Sequence, residues 1–88
     1  MPTYVVERYV PRSTADNLRA EAARVTQAAE VPGDGKTSSV SYLSSIYMPD
    51  DEVSFCLFSG ESVDSIAACF EKAQIAFDRI LAAEVLVP

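Results

Sequence analysis

Eighty-eight residues are enough for one small domain, 1–88, with a single core, and an apolar share of 49% excludes a disordered chain. A net charge of −6, with seven Lys and Arg scattered along the chain, argues against nucleic acid, because phosphate binding needs clustered cations. There is no histidine, which removes the usual neutral-pH acid/base and the commonest transition-metal ligand, and no apolar run approaches the roughly 18–20 residues of a membrane helix.

The opening segment, residues 3–10, is β-branched and aromatic except for Glu7 and Arg8, and Pro11 closes it: a strand. Adjacent side chains of a strand point to opposite faces, so the two charges lie on opposite sides of the sheet. Ser13 or Thr14 then offers a helix N-cap, with Asp16 in the first turn. Ala15, Leu18, Ala22, Val25 and Ala29 recur at three- and four-residue intervals, which predicts an amphipathic helix of about four turns ending at Pro32-Gly33. Gly35-Lys36-Thr37 mimics the end of a phosphate-binding loop. The full pattern needs glycine where Glu30 stands, and a strand before it and a helix after it, so 32–38 reads as a flexible connection.

Residues 39–48 and 53–59 read as two strands joined by the polar turn Pro49-Asp50-Asp51-Glu52. Symmetric closure of that turn sets Met48 against Val53, Ile46 against Phe55 and Ser45 against Cys56. The more apolar face, with Tyr42, Ile46, Met48, Val53, Phe55 and Leu57, is then expected beneath the helices. Leu43, Ser45, Tyr47, Cys56 and Phe58 are expected on the open face, unless a bulge reverses one strand. Ser62 caps a second helix with the stripe Val63, Ile66, Phe70 and Ala73, while 77–80 reads as a turn or helical extension and 82–87 as a last short strand. Cys56 and Cys69 are not spaced as a ligand pair. With no export signal at the N-terminus they are expected to be reduced, buried thiols in a cytoplasmic protein.

The order strand–helix–strand–strand–helix–strand predicts an α+β, ferredoxin-like βαββαβ fold: a four-stranded antiparallel sheet with two helices on one face and the first and third strands central. A bare, apolar sheet face calls for a cover, and a homodimer through that face is the simplest one. The expected site lies there, with Glu7, Ser45 and Cys56 together. Glu7, desolvated, would serve as general base or metal ligand, Cys56 as thiolate ligand, and Tyr42, Ser45 and Tyr47 as groups positioning a carbonyl. Arg8 is expected to face the helices and pair with Asp78, Glu84 or a helix C-terminus.

The runs Tyr-Val-Val-Glu-Arg-Tyr-Val-Pro (4–11), Val-Ser-Tyr-Leu-Ser-Ser (40–45), Phe-Cys-Leu-Phe (55–58) and Asp-Arg-Ile (78–80) before Glu-Val (84–85) resemble the nickel-responsive ferredoxin-like family of small bacterial proteins. The resemblance covers nearly the whole chain. It implies a nickel-binding or metal-responsive role, with nickel or another divalent transition metal as cofactor, in a dimer. Glu7, Ser45 and Cys56 match the family's recurrent polar residues by position. The family's second strand usually carries a histidine where this chain has Ser44, which makes Ser44 a further binding candidate. Its second helix tends to end in glycine and proline where this chain reads Gln74-Ile75-Ala76. Three functions are compatible with these residues: a metal-binding protein, a small-molecule enzyme of isomerase or cyclase type working in the cavity over the sheet, and a non-catalytic ligand- or partner-binding subunit.

Overall fold

The computed structural model describes residues 1–29 and 40–88. The predicted end of the first helix at Pro32-Gly33 and the connection at 32–38 lie outside the described residues. Among the described residues the elements run β1 (Thr3–Tyr9), α1 (Ala15–Ala29), β2 (Ser41–Met48), β3 (Val53–Ser59), α2 (Val63–Lys72) and β4 (Arg79–Ala83). They form one antiparallel sheet in the order β2-β3-β1-β4, with β1 and β3 central as expected. This is the ferredoxin-like α+β arrangement. No helix among the described residues is long and apolar enough to cross a membrane.

Local chemistry accounts for the helix ends. Thr14 Oγ1 accepts from the backbone N–H of Asn17, capping α1, and Ser62 Oγ accepts from the N–H of Ser65, capping α2. Each hydroxyl satisfies an otherwise orphaned donor. At the C-terminus of α2, the N–H of Gln74 donates to Glu71 O and that of Ile75 to Phe70 O, both at 3.0 Å. This is the paired bonding of a Schellman motif, with Gln74 in the left-handed region at φ 59°. The abrupt stop corrects the last strand: the chain enters the sheet at Arg79, not at 82, and 77–80 is not a helical extension. Pairing with β1 requires this, since Glu7 faces Arg79 and Thr3 faces Ala83.

The core lies between the sheet and the two helices. Val6, Cys56 and Phe58 from the central strands pack with Val25 and Ala29 of α1 and with Ile66, Cys69 and Phe70 of α2. Val63, expected in the apolar stripe of α2, is exposed instead. A column of aromatic rings crosses this layer, Tyr42 to Phe58 at 5.4 Å, Phe58 to Phe70 at 5.4 Å and Phe70 to Phe77 at 5.6 Å, the last two edge-on. Arg8 also points to the helix side. Its Nε donates to Ala76 O at 3.0 Å, and its terminal nitrogens pair with both carboxylate oxygens of Glu21 on α1 at 3.2 and 3.3 Å. Its carboxylate partner is therefore Glu21 on α1, and neither Asp78 nor Glu84, while its Nε is taken by the Ala76 carbonyl beyond α2.

The hairpin register matches the expectation, with Met48 opposite Val53, Ile46 opposite Phe55 and Ser45 opposite Cys56. The faces are inverted. Ser54, Cys56 and Phe58 are buried under the helices, and Val53, Phe55 and Leu57 look away from them. A bulge at Leu43 adds a second correction: Tyr42 pairs with Phe58 while Ser44 pairs with Leu57, leaving Leu43 as the extra residue. Tyr42 therefore joins Ser45 and Tyr47 on the helix side although 42 and 45 have opposite parity.

Candidate functional site

On the helix side, the bulge brings together side chains that an unbroken strand would separate. The Tyr42 hydroxyl and Ser45 Oγ lie 2.6 Å apart, Ser45 Oγ donates to Cys56 Sγ at 3.3 Å, and Ser54 Oγ lies 3.4 Å from the same sulfur. Ser45 is exposed, and Cys56 is 5% exposed. The chain of hydroxyls thus runs from solvent inward to a buried thiol. The Tyr47 hydroxyl donates to Ser13 O at 3.0 Å, tying β2 to the segment that precedes α1.

Above these groups, α1 only partly covers the outer strand β2. The gap is a cleft of about 160 Å³ between Ala15, Leu18 and Arg19 of α1 and Tyr42, Ser45 and Tyr47 of β2. One wall is apolar and the floor carries three hydroxyls. At the rim, the Arg19 guanidinium also pairs with Asp16 at 2.9 Å, in an arrangement where both side chains are largely solvated. Coulomb attraction between such exposed groups is weak, so Arg19 can turn to another acceptor at little cost.

Glu7 stands on the other side of the sheet. Its neighbours in register are Phe55 on β3 and Arg79 on β4, and its Oε2 accepts from Arg79 Nε. The expected meeting of Glu7 with Ser45 and Cys56 therefore does not occur. Val6, not Glu7, is the β1 partner of Cys56, and one step along a strand changes the face. Ser44 likewise falls opposite Leu57 on the Glu7 side, so the neighbouring candidates Ser44 and Ser45 serve different surfaces. The carboxylate turn at 50–52 is a structural joint. Glu52, at φ 56°, accepts through its carbonyl from Val10 N at 2.7 Å and through Oε2 from Arg12 N at 2.8 Å.

The sequence reading missed Leu18 and Arg19 as parts of a site. A helix over an edge strand was legible, but only the bulge shows which strand residues it overhangs.

Fold and cleft together define a small ferredoxin-like domain with a polar-floored recess at one sheet edge. The chain belongs to the family described as nickel responsive protein SCO4226-like, whose model matches residues 4–82. Among solved structures it is similar to SCO4226 from Streptomyces coelicolor A3(2), with a TM-score of 0.80, 15% identity, and coverage of 97% of this chain and 99% of that one. At that identity the likeness speaks for the fold. No curated protein matches the chain.

The family description raises the question whether nickel fits these residues. Nickel favours imidazole and thiolate donors. The chain has no histidine, Glu7 and Cys56 are on opposite sides of the sheet, and the oxygens beside Cys56 are neutral hydroxyls. Among the described residues no three Cys, Asp or Glu side chains come together as a metal-holding group. The donor set does not fit a nickel centre.

Proposed function

We propose that this member of the nickel-responsive family is a non-catalytic binding protein that takes a small, single-ring organic ligand in the cleft between α1 and β2. The observation that carries the reading is the gathering of Tyr42, Ser45 and Tyr47 on the floor of that cleft by the bulge at Leu43. An engineered cavity of roughly 150 Å³ holds benzene, so a space of about 160 Å³ suits one ring. The hydroxyls of Tyr42 and Ser45 supply donors and acceptors, and Arg19 at the rim favours a carboxylate substituent. Glu7, the acid/base candidate, is occupied by Arg79 across the sheet from this floor, which supports binding over catalysis. Cys56 and Cys69, both buried and neither in a disulfide, support a reducing, cytoplasmic setting.

Benzoate, benzamide and benzyl alcohol titrated into 15N-labelled protein test the reading. Benzoate at millimolar concentration is expected to shift the amides of Tyr42, Ser45 and Tyr47, more strongly than benzamide, and Ser45→Leu is expected to abolish the shifts. A parallel nickel titration of the fully reduced protein is expected to give no heat. Nickel binding with thiolate absorption that disappears in Cys56→Ser would overturn the proposal, as would benzoate shifts confined to the opposite face of the sheet.

A further inference from the structure

Each hydroxyl on the floor of the cleft between α1 and β2 has one proton, and each of those protons already has an acceptor. Tyr47 donates to Ser13 O at 3.0 Å. Ser45 Oγ donates to Cys56 Sγ at 3.3 Å, so its single proton does not also serve the bond to Tyr42. The 2.6 Å contact between the Tyr42 hydroxyl and Ser45 Oγ therefore runs from phenol to alcohol, the direction favoured by the greater acidity of phenols in general. What these three groups leave for a ligand is lone pairs: those of the Tyr42 and Tyr47 oxygens and the remaining one on Ser45. The cationic donor, Arg19, is at the rim, and Ala15 and Leu18 supply the apolar wall. The cleft is thus polarised, with donors at its mouth and acceptors on its floor.

We propose that the ligand is an aromatic acid whose ring also carries a hydrogen-bond donor, an amino or hydroxyl group, at the end away from the carboxylate. This rests on the reading of the cleft as a ring-binding site and adds the second substituent. A ring end that only accepts sets its lone pairs against those of the floor, or else has to break one of the three existing bonds and strand its acceptor. An apolar ring end covers the lone pairs, displacing water without replacing its hydrogen bonds. An N–H or O–H group meets the network as it stands, while the carboxylate reaches the Arg19 guanidinium at the mouth. Donor against acceptor at the inner end, and not ring size, is therefore what the site discriminates.

Titration of 15N-labelled protein at pH 7 with 4-aminobenzoate, 4-hydroxybenzoate, 4-methylbenzoate and 4-methoxybenzoate, followed at the amides of Tyr42, Ser45 and Tyr47, tests this. All four share the ring and the carboxylate, and the methyl group matches the amino group in size. The amino and hydroxy acids are expected to bind about five- to tenfold more tightly than 4-methylbenzoate, and 4-methoxybenzoate, which only accepts, most weakly. Ser45→Ala, at an exposed position, releases the Tyr42 proton into the cleft. It is expected to cut the preference for 4-aminobenzoate over 4-methoxybenzoate by at least about threefold. Equal binding of 4-aminobenzoate and 4-methylbenzoate overturns the inference, as does a preference that Ser45→Ala leaves unchanged. Benzoate shifts at the same three amides would then still uphold the ring-binding reading. No shifts with any of the four acids or with benzoate would remove both.

Discussion

Replacing Glu21 by leucine isolates the most consequential ion pair in the fold. The Arg8 side chain is 10% exposed and that of Glu21 29%, and Arg8 sits on a central strand directly beneath α1. Removing one partner of a buried pair costs about 3–5 kcal/mol, because the remaining charge stays desolvated. Here Arg8 keeps its bond to Ala76 O and Glu21 is partly wet, so a loss of about 2–3 kcal/mol is expected. For a domain of this size that is a fall in Tm of roughly 10–20 °C. Leucine is a good helix former, so the local propensity of α1 is unaffected. The double variant Arg8→Met/Glu21→Leu is expected to recover most of the loss, ending within about 1–2 kcal/mol of the parent, with the bare Ala76 carbonyl as the chief residue of the damage. Urea unfolding followed by circular dichroism at 25 °C measures Glu21→Leu, Arg8→Met and the double variant. The reasoning fails if Glu21→Leu costs under about 0.5 kcal/mol, or if the double variant is as unstable as the sum of its singles.

Two further outcomes follow from the ends of α2. Gln74→Gly removes the strain of a left-handed non-glycine residue from the Schellman turn; after the added freedom of glycine in the unfolded chain, a gain of about 0.5–1 kcal/mol is expected by the same urea assay. Ser62→Ala deprives the Ser65 N–H of its 3.1 Å acceptor and is expected to cost about 1 kcal/mol, seen as a fall in thermal midpoint.

Element order and hairpin register were legible because they rest on periodicity and turn length. Val53 to Ser59 and the pairing of Ser45 with Cys56 needed nothing more. The facing of the sheet was not legible. Both sides of β3 are apolar, and the choice between them depends on β1, where Val6 and Arg8 go under the helices and take Cys56 and Ser54 with them as neighbours. The inward facing of Arg8 was read correctly, and its acceptors were not, because they are remote in sequence, 13 residues away at Glu21 and 68 at Ala76. What was missing is the β1–β3 register: with Val6 paired to Cys56 and Glu7 to Phe55, Cys56 goes under the helices and Glu7 lies on the other side of the sheet. The bulge at Leu43 carries no glycine or other local marker, so the grouping of Tyr42 with Ser45 emerges only from the ladder. The start of β4 was missed for a related reason: Gln74 gives no glycine signal for the sharp stop of α2.

The aromatic column has a practical corollary. The chain has no tryptophan and only four tyrosines and four phenylalanines, so its ultraviolet optical activity comes from a short set of rings. Tyr42 heads the file that continues through Phe58 and Phe70 to Phe77, and its phenol borders the recess. A ligand bound in that recess is therefore expected to change the near-ultraviolet circular dichroism of the unlabelled molecule through Tyr42.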